Sequence, residues 1–366
     1  MDLRKKYRPV QLDDVVGQRR VTATLKAASQ NNGFASAYFF SGNRGSGKTS
    51  SARILASLLT CESVQDGKVC GECRACQLIH AGHSLDVKEV DGATKKGIAD
   101  INSLKEAAYY APNELSRRVI IIDECHKLSA DANASLLKIL EEPPSHLYFI
   151  LCTTEPRKVL DTILSRCHRF DFVKIQSKEI AKRLKFIAGE EGITIEDAAL
   201  LSVAKLARGS MRDAIGYLEM IATVANGKSI ADKAVQKYFC LPDRRGVINI
   251  VKAITDYNLP LIMDQVNDMI MASVDVEMIL YEITEVFRSI MVLQAQNGSS
   301  KLLDLPDNEI EDLRSLSEAM PMSSPLKLAR LFSEIEIKIK TNINARWIME
   351  ASLIDCAATL RKQRKE

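Results

Sequence analysis

One stretch of this 366-residue chain has the residue types and spacing of a phosphate-binding loop. Residues 42–49 read GNRGSGKT and fit the pattern G-x-x-x-x-G-K-[ST] at every fixed position. In such a loop, backbone N–H groups point at phosphate oxygens, the lysine charge meets the β- and γ-phosphates, and the threonine hydroxyl ligates Mg²⁺. The pattern predicts that nucleotide and Mg²⁺ are bound by Gly42, Asn43, Arg44, Gly45, Ser46, Gly47, Lys48, Thr49 and Ser50.

Four further residues have side chains suited to hydrolysis. The apolar run VIII ends at Asp123 and Glu124; the first is expected to hold the Mg²⁺ water shell and the second to act as general base on the attacking water. The next apolar run ends in CTT, which places Thr154 for a hydrogen bond to the γ-phosphate or the water. Arg212 stands at a predicted helix start, where the helix dipole disfavours its charge, so a role in sensing phosphate is favoured over capping.

Four cysteines after the loop have the spacing of metal ligands. Cys61, Cys70, Cys73 and Cys76 follow the pattern C-x₈-C-x₂-C-x₂-C. Four thiolates complete a tetrahedral structural zinc site with no open position for catalysis. The alternatives are an iron–sulfur cluster on the same thiolates and reduced free cysteines. The other five cysteines occupy mostly apolar stretches and are predicted to be core residues: Cys125, Cys152, Cys167, Cys240 and Cys356.

The elements that must position these residues alternate between apolar runs and helical patterns. Five β-rich runs are predicted at 37–42, 85–91, 118–124, 147–154 and 168–173. Because they are apolar almost throughout and separated by helices, we expect an α/β domain with a parallel sheet covered on both faces.

After residue 173 the strand signal stops. Three amphipathic helices are predicted in 177–192, 194–207 and 210–225, a linker at 241–246, and helices only from there to the end. The predicted domains are therefore a nucleotide-binding core at 1–178 with the cysteine module at 61–76, a helical lid at 179–241, and a third, helical domain at 242–366.

Composition limits the classes of function. Fifty basic and forty-seven acidic residues give a net charge of only +3, so any nucleic-acid binding must come from local patches. No apolar run approaches the roughly 20 residues of a spanning helix, and the first residues, MDLRKKYRPV, lack the apolar core of a signal peptide. We therefore expect a cytoplasmic protein without membrane partners, whose cysteines are reduced or bind metal.

Seven stretches together carry a family resemblance. In chain order they are KYRP (6–9), DVVGQ (14–18), the phosphate-binding loop, DECH (123–126), LLKILEEPP (136–144), ILSRC (163–167) and GSMRDA (209–214). With the cysteine module, they make the chain similar to the gamma/tau family of AAA+ clamp-loader ATPases of bacterial DNA polymerase III. The resemblance is dense from residue 4 to about 220. Beyond that, it rests on a helical segment of suitable length.

This resemblance implies a fold and a function. The fold is an AAA+ P-loop NTPase core with a parallel sheet, followed by a helical lid and an all-helical collar. The function is an ATPase that uses ATP and Mg²⁺ to open a sliding clamp and load it onto primer–template DNA, within a pentameric ring of clamp-loader subunits. The resemblance also favours Zn²⁺ at the four cysteines. It further implies that Arg166 is an arginine finger for a neighbouring subunit, and that the adenine lies near Arg8, Pro9, Val16 and Gly17.

A contact with DNA is predicted at a helix start. Thr94, Lys95 and Lys96 precede a predicted helix, where backbone amides and two lysines suit a phosphate group. A solvated lysine pair is the alternative. Gly97 departs from the basic residue that the resemblance leads us to expect nearby.

Two other functions share many of these motifs. A Holliday-junction branch-migration helicase, another AAA+ motor, has the same loop and acidic pair, but it is expected to have a C-terminal winged-helix domain and the sequence shows no strand signals there. A non-catalytic ring subunit should have a damaged phosphate-binding loop, whereas Lys48, Thr49, Asp123 and Glu124 are all present. The ATP-hydrolysing clamp loader is therefore the favoured prediction.

Overall fold

A computed structural model describes residues 2–94, 97–296, 298, 303, 305, 307–321, 323–341 and 344–363. The chain divides into two compact units, Met1–Asp232 and Lys233–Glu366. The first unit contains a mixed α/β core and a helical lid, and the described elements of the second are all helices. The predicted boundaries at 178 and 241 stay predictions.

The five predicted strands form one parallel sheet. They are β1 (Ala37–Gly42), β2 (Val87–Asp91), β3 (Arg118–Asp123), β4 (Leu147–Thr153) and β5 (His168–Phe172), in the order β2-β3-β4-β1-β5. The three central strands are buried along almost their whole length. The two edge strands include charged, exposed positions because each has a neighbour on one side only.

Alternate residues of the central strands belong to two different cores. Tyr38, Phe40 and Ile121 contribute to the core that also contains the apolar side chains of the helix after β1. Phe39 and Ile122 contribute to a second core, together with helical residues from 101 to 140. This two-residue period confirms that helices cover both faces of the sheet.

Ten α-helices are found among the described residues of the first unit, and Ser129 and Ser210 cap two of them by accepting backbone N–H groups. They are α1 (Leu3–Lys6), α2 (Arg19–Gln30), α3 (Lys48–Thr60), α4 (Arg74–Ala81), α5 (Ile98–Tyr109), α6 (Ala130–Glu141), α7 (Asp161–Leu164), α8 (Ser177–Glu190), α9 (Asp197–Leu206) and α10 (Met211–Ala225). The last three are the lid helices that the sequence predicts.

The remaining helices are α11 (Asp232–Tyr238), α12 (Arg244–Thr255), α13 (Leu259–Met271), α14 (Val276–Ala295), α15 (Asp307–Ala319), α16 (Ser323–Thr341) and α17 (Ala345–Gln363). Part of the predicted linker at 241–246 is helical, because the Asp243 side chain accepts the Gly246 N–H and α12 begins at Arg244. No helix among the described residues is long and apolar enough to cross a membrane.

The core of the second unit contains the stacked rings of Phe287 and Phe332, whose centroids are 5.5 Å apart. Met349 and Leu353 of α17 are fully buried in the same core. Trp347, on the same helix, is 69% exposed. It lies two residues from Met349, about 200° around the helix, and so points away from that core.

Candidate functional site

The phosphate-binding loop, the acidic pair and Thr154 meet at one edge of the sheet. The adjacent strands β1, β4 and β3 end at the loop, at Thr153 and at Asp123 respectively. Because the strands run parallel, the residues after their last positions lie at the same edge. A hydrogen bond of 2.8 Å from Thr49 Oγ1 to Asp123 Oδ2 joins the loop to the acidic pair. These oxygen donors are of the kind that Mg²⁺ prefers.

Two glycines let neighbouring segments approach the loop closely. Gly45 and Gly47 have positive φ angles of 73° and 102°, which side-chain-bearing residues rarely adopt. A Cβ on Gly45 would collide with Ser210 of the lid, and one on Gly47 would lie 3.4 Å from Val15 Cγ1. The Met211 N–H also donates to Gly45 O at 3.1 Å. The loop is therefore in direct contact with the lid and with the N-terminal segment.

Lys48 lies inside the curve of the loop. Its side chain is buried, and Nζ donates to the carbonyl oxygens of Gly42 and Asn43 at 2.8 and 2.9 Å. Burial lowers the pKa of Lys48, and the nearby carboxylates of Asp123 and Glu124 oppose that shift. The ammonium group is thus held where the predicted pattern needs a positive charge.

Two neighbours fix Glu124, one through its backbone and one through its carboxylate. Its backbone N–H donates to Asp123 Oδ1 at 2.9 Å, and its φ angle of +49° lies in the left-handed region. Thr154 Oγ1 donates to Glu124 Oε2 at 2.9 Å. The predicted sensor hydroxyl and the predicted general base are therefore direct partners.

His126 is a member of this site that the sequence did not identify. The imidazole is 4% exposed, and its Nδ1 lies 2.8 Å from Thr153 Oγ1 and 3.4 Å from Glu124 Oε2. Its Nε2 lies 3.2 Å from Glu155 Oε1. The residue stands within the DECH stretch that carried the resemblance, but its contact with the next strand is visible only in the fold.

Arg166 binds residues that are not part of the phosphate-binding loop. Its guanidinium contacts Glu141 Oε1 at 2.6 Å and donates to the Thr162 carbonyl at 2.7 Å. Both partners belong to neighbouring helices, α6 and α7. One third of the side chain is exposed, which leaves the guanidinium accessible at the surface of this unit.

Two predicted arginines approach the site from the N-terminal segment and the lid. Arg212 is exposed in the first turn of α10. Partial burial lowers the pKa of Arg8, and the positive charges of Arg53 and Arg212 act in the same direction. Glu89, which pairs with Arg53, opposes this shift.

Gln18, which directly follows the N-terminal segment of the predicted adenine site, holds that segment in place through hydrogen bonds. Gln18 is buried, and its amide bonds both the N–H and the C=O of Val173 and the carbonyl of Ser46. Gly17 has a φ of +79° and packs against Ile175. Pro9 and Val16 are half-buried. Gln18 could not be singled out from sequence because Val173 is 155 positions away.

The four predicted metal ligands form one cluster. All their sulfur atoms lie within 4.8 Å of one another, with Cys61 Sγ 3.5 Å from Cys70 Sγ and 3.9 Å from Cys73 Sγ. Tetrahedral zinc with Zn–S bonds of about 2.3 Å needs sulfurs about 3.8 Å apart, so the donor set fits a single ion. A multi-iron cluster would hold the thiolates farther apart because several atoms lie between them.

Local hydrogen bonds favour a thiolate in this cluster. Backbone N–H groups of Cys73 and Glu72 lower the pKa of Cys70 to about 7, whereas burial raises the pKa of Cys61 and Cys76. Among the other cysteines, Cys125, Cys152 and Cys356 are buried, as predicted for core residues, while Cys167 and Cys240 are only half-buried.

The predicted DNA contact is described only in part. Thr94 is exposed after β2, and its hydroxyl donates to the Asp91 carbonyl at 3.1 Å. Lys95 and Lys96 lie outside the described residues. The DNA contact therefore stays a prediction.

Families of replication proteins match almost the whole chain. The family described as "DNA polymerase III, delta subunit" matches residues 17–176. The family "DNA polymerase III clamp loader subunit, ATPase lid domain" matches residues 179–219. The family "DNA polymerase III subunits gamma and tau domain III" matches residues 230–358.

Curated relatives agree with these families. DNA polymerase III subunit tau of Bacillus subtilis is 33% identical, over 96% of this chain and 62% of the relative. DNA polymerase III subunit gamma/tau of Mycobacterium bovis is 35% identical, over 86% of this chain and 55% of the relative. DNA polymerase III subunit tau of Escherichia coli is 35% identical, over 80% of this chain and 45% of the relative. The chain thus spans about half to three fifths of the length of these relatives.

Among solved structures, a variant of Thermotoga maritima RuvB superposes with a TM-score of 0.50 at 23% identity, covering 69% of this chain and 80% of that one. At this identity the likeness concerns the fold alone. Together with the matching lid family, it confirms an AAA+ P-loop core with a parallel sheet, a helical lid and a helical C-terminal region.

Proposed function

Because the chain belongs to the DNA polymerase III gamma/tau family, we propose that it is an ATPase subunit of a clamp loader. In this role ATP binding and hydrolysis open a sliding clamp and load it onto primer–template DNA. The observation that carries the proposal is the hydrogen-bonded set of Thr49, Asp123, Glu124 and Thr154 beside the buried Lys48. It is the arrangement expected of a hydrolysing P-loop site.

ATP binds along the loop from Gly42 to Ser50. Backbone N–H groups of the loop bind the phosphates, and Lys48 neutralises their charge. Thr49 would ligate Mg²⁺ and Asp123 would hold its water shell, and the ion would supply positive charge to the phosphates. The adenine lies against Arg8, Pro9, Val16 and Gly17, next to the segment that Gln18 fixes.

Hydrolysis begins when Glu124 accepts a proton from the attacking water. Thr154 orients the water or the γ-phosphate, and its hydrogen bond to Glu124 keeps the two groups in register. Arg212, on the lid helix α10, contacts the γ-phosphate, so the position of the lid depends on the bound nucleotide. The guanidinium of Arg166 reaches the γ-phosphate on a neighbouring subunit, which makes turnover depend on assembly.

The four-cysteine cluster binds Zn²⁺ through Cys61, Cys70, Cys73 and Cys76. The close sulfur packing and the absence of a fifth donor from the described cluster support a closed structural site. Such a site stabilises the module between α3 and α4 and takes no part in hydrolysis.

The partners are the other clamp-loader subunits of a pentameric ring, the sliding clamp and primer–template DNA. The helical region matched by the gamma and tau domain III family serves as the collar of the ring. DNA contacts are made to phosphates without sequence preference, with Thr94, Lys95 and Lys96 as one contact. The proposed setting is the cytoplasm.

A Holliday-junction branch-migration motor is the second candidate, supported by the likeness of fold to RuvB. Two features favour the clamp loader. The gamma and tau domain III family matches residues 230–358, and the described elements of that region are helices rather than the strands of a winged-helix domain.

Steady-state ATP hydrolysis by the chain assembled with its partner subunits tests the proposal. We expect strong stimulation when sliding clamp and primed DNA are added together, and much less with either one alone. Lys48→Ala in the same assembly controls for contaminating ATPases and should bind nucleotide weakly. Stimulation by four-way junction DNA without any dependence on the clamp would overturn the clamp-loader proposal in favour of the motor.

A further inference from the structure

The cysteine module is hydrogen-bonded to the N-terminal segment that lies over the phosphate-binding loop. Gln11 pairs with the backbone of Val69: its Nε2 donates to Val69 O at 2.9 Å, and its Oε1 accepts the Val69 N–H at 3.1 Å. Val69 stands between the ligands Cys61 and Cys70, directly before the second of them. The contact joins positions that are 58 residues apart.

Two further contacts hold the same pieces together. Lys68 Nζ lies 3.1 Å from Asp13 Oδ2, across an exposed surface where an ion pair alone contributes little. Gly67 is buried against Lys26 of α2, because a Cβ at this position would meet the Lys26 side chain. The loop between the first two cysteines is thus packed against Gln11 and Asp13, which lie within the segment 8–17 of the predicted adenine site, and against Lys26 after it.

The contact continues to the phosphate-binding loop through apolar side chains. Leu12 and Val15 share one hydrophobic core with Val69 and the ligand Cys76. Val15 packs directly over Gly47, the residue before Lys48. The helix α3, which begins with Lys48, ends one residue before Cys61. The cysteine module and the loop are therefore connected by α3 and also through the 11–15 segment.

We propose that occupancy of the four-cysteine site by a divalent metal such as Zn²⁺ and binding of a nucleoside diphosphate or triphosphate at the phosphate-binding loop strengthen each other, through the pairing of Gln11 with Val69. This inference rests on the proposed nucleotide and zinc sites. A bound metal orders the short loop that contains Val69. Gln11 then has a fixed partner, and Val15 is held over Gly47 before nucleotide arrives. The entropy cost of ordering the 11–15 segment is then smaller when nucleotide binds, which is a source of positive coupling between the two sites.

The first test measures ADP affinity by calorimetry on the full chain, loaded with zinc at the cysteines and kept in excess Mg²⁺. Gln11→Ala is expected to weaken ADP binding by about fivefold to twentyfold, within the usual range of coupling between sites. Arg74→Ala is the matched control: Arg74 lies in the same module, but its ion pair is with Glu114 and not with the N-terminal segment. It should leave ADP affinity unchanged.

The second test uses the reciprocity of coupled binding. Zinc affinity is measured by competition with a chromogenic chelator that does not bind Mg²⁺, with and without saturating ADP. ADP should raise the zinc affinity of the parent chain by the same factor by which zinc raises ADP affinity. In Gln11→Ala both factors should fall toward one. The first test compares Gln11→Ala with the parent in the zinc-loaded state, so its result holds even if the metal-free chain unfolds.

The outcomes separate this inference from the proposed function. Equal ADP affinity in Gln11→Ala, Arg74→Ala and the parent would overturn the coupling while leaving clamp loading untouched. A chain that binds ADP but no zinc would overturn both the coupling and the metal site. A chain that binds no ADP would overturn the coupling together with the ATPase proposal. Neither test measures the stimulation of hydrolysis by clamp and DNA. A failure of the clamp-loader proposal would therefore be detected in the separate hydrolysis assay.

Discussion

At the scale of single residues, the buried imidazole of His126 constrains the carboxylate that we propose as general base. It contacts Glu124 and Thr153 through Nδ1 and Glu155 through Nε2. An imidazole with partners on both nitrogens has one preferred orientation. His126 touches neither the loop nor a predicted Mg²⁺ ligand, so its effect on hydrolysis would be exerted through Glu124. It is a positioning residue.

We therefore expect His126→Ala to lower kcat of the assembled ATPase by about tenfold to a hundredfold, the cost of a misplaced catalytic group. The Kd for ATP should change by less than twofold, because the loop and Lys48 keep their contacts. His126→Gln, which can retain one hydrogen bond, should recover part of kcat. His83→Ala, at an exposed position, serves as control. An equal loss in kcat and in ATP affinity would indicate a general structural defect instead.

A second residue-scale prediction concerns a buried ion pair away from the site. Asp86 is fully buried, contacts Arg118 at 2.9 Å, and accepts the N–H groups of Asn113, Glu114 and Leu115. Asp86→Asn leaves the buried guanidinium without its counter-charge and should lower the free energy of unfolding by about 3–5 kcal/mol. Urea titration measures the change. Lys185→Gln, which breaks an exposed pair with Asp197, should cost less than about 1 kcal/mol.

The same pair gives the chain an acid-sensitive contribution to stability. Burial alone would raise the pKa of Asp86, but the N–H donors of Glu114 and Asn113 and the charge of Arg118 outweigh it, so its pKa is lowered. A carboxyl with a lowered folded-state pKa stabilises the fold fully above its usual pKa, and that contribution is lost as the pH falls through the lowered value. Asp86→Asn should therefore flatten the acid limb of a stability profile. An unchanged acid limb would contradict this assignment.

At the scale of elements, the sequence predicted secondary structure best where the structure depends on residues that are close together along the chain. Each of the five strands lies within two residues of its predicted range. The three central strands gave the clearest signal, because strands covered on both faces are continuously apolar. Ser129 and Ser210 mark helix starts for a local reason, since each caps a backbone N–H three residues on. Asp243 is also a local cap, and it shows why part of the predicted linker is helical.

The sequence did not predict hydrogen bonds between elements that are far apart along the chain. Gln11, Gln18 and His126 find their partners on elements 58, 155 and 27 positions away. Trp347 is a large apolar residue, but its angular position on α17 leaves it exposed. The chemistry of the phosphate-binding loop could be predicted because its residues follow one another in a fixed sequence pattern. The residues that orient that chemistry required the topology of the sheet.

The contact between lid and loop gives an element-scale prediction. Gly45→Ala forces a side chain into a left-handed conformation and against Ser210, so both the loop and the lid must shift. We expect at least tenfold weaker ADP binding and a loss of about 1–2 kcal/mol in stability. Gly82→Ala has nearly the same φ, but nothing lies within 4 Å of the added Cβ. It should lose stability without losing ADP affinity, and similar affinities in both variants would refute the coupling of lid to loop.

At the scale of the whole molecule, the position of Arg166 bears on where hydrolysis can occur. Its guanidinium is bound to Glu141 and to the Thr162 carbonyl. At the edge of the sheet, in contrast, Thr49 of the loop is hydrogen-bonded to Asp123, and Thr154 to Glu124. A single chain therefore has a phosphate-binding site and a separate, surface-accessible arginine. We propose that only assembly places the arginine of one subunit beside the γ-phosphate of the next.

This arrangement predicts complementation between two inactive variants. Arg166→Ala should keep the ADP affinity of the parent but lose about 10³- to 10⁵-fold in turnover of the assembled complex, the usual contribution of an arginine finger. Lys48→Ala should lose nucleotide binding. When the two variants are mixed during assembly, some interfaces pair an intact Arg166 with an intact Lys48 site, so turnover should return in part. Arg169→Ala, three residues away and paired with Asp171, should be nearly as active as the parent. If mixing restores nothing while the mixed assemblies form normally, or if isolated chains hydrolyse ATP at the full rate, Arg166 does not act between subunits.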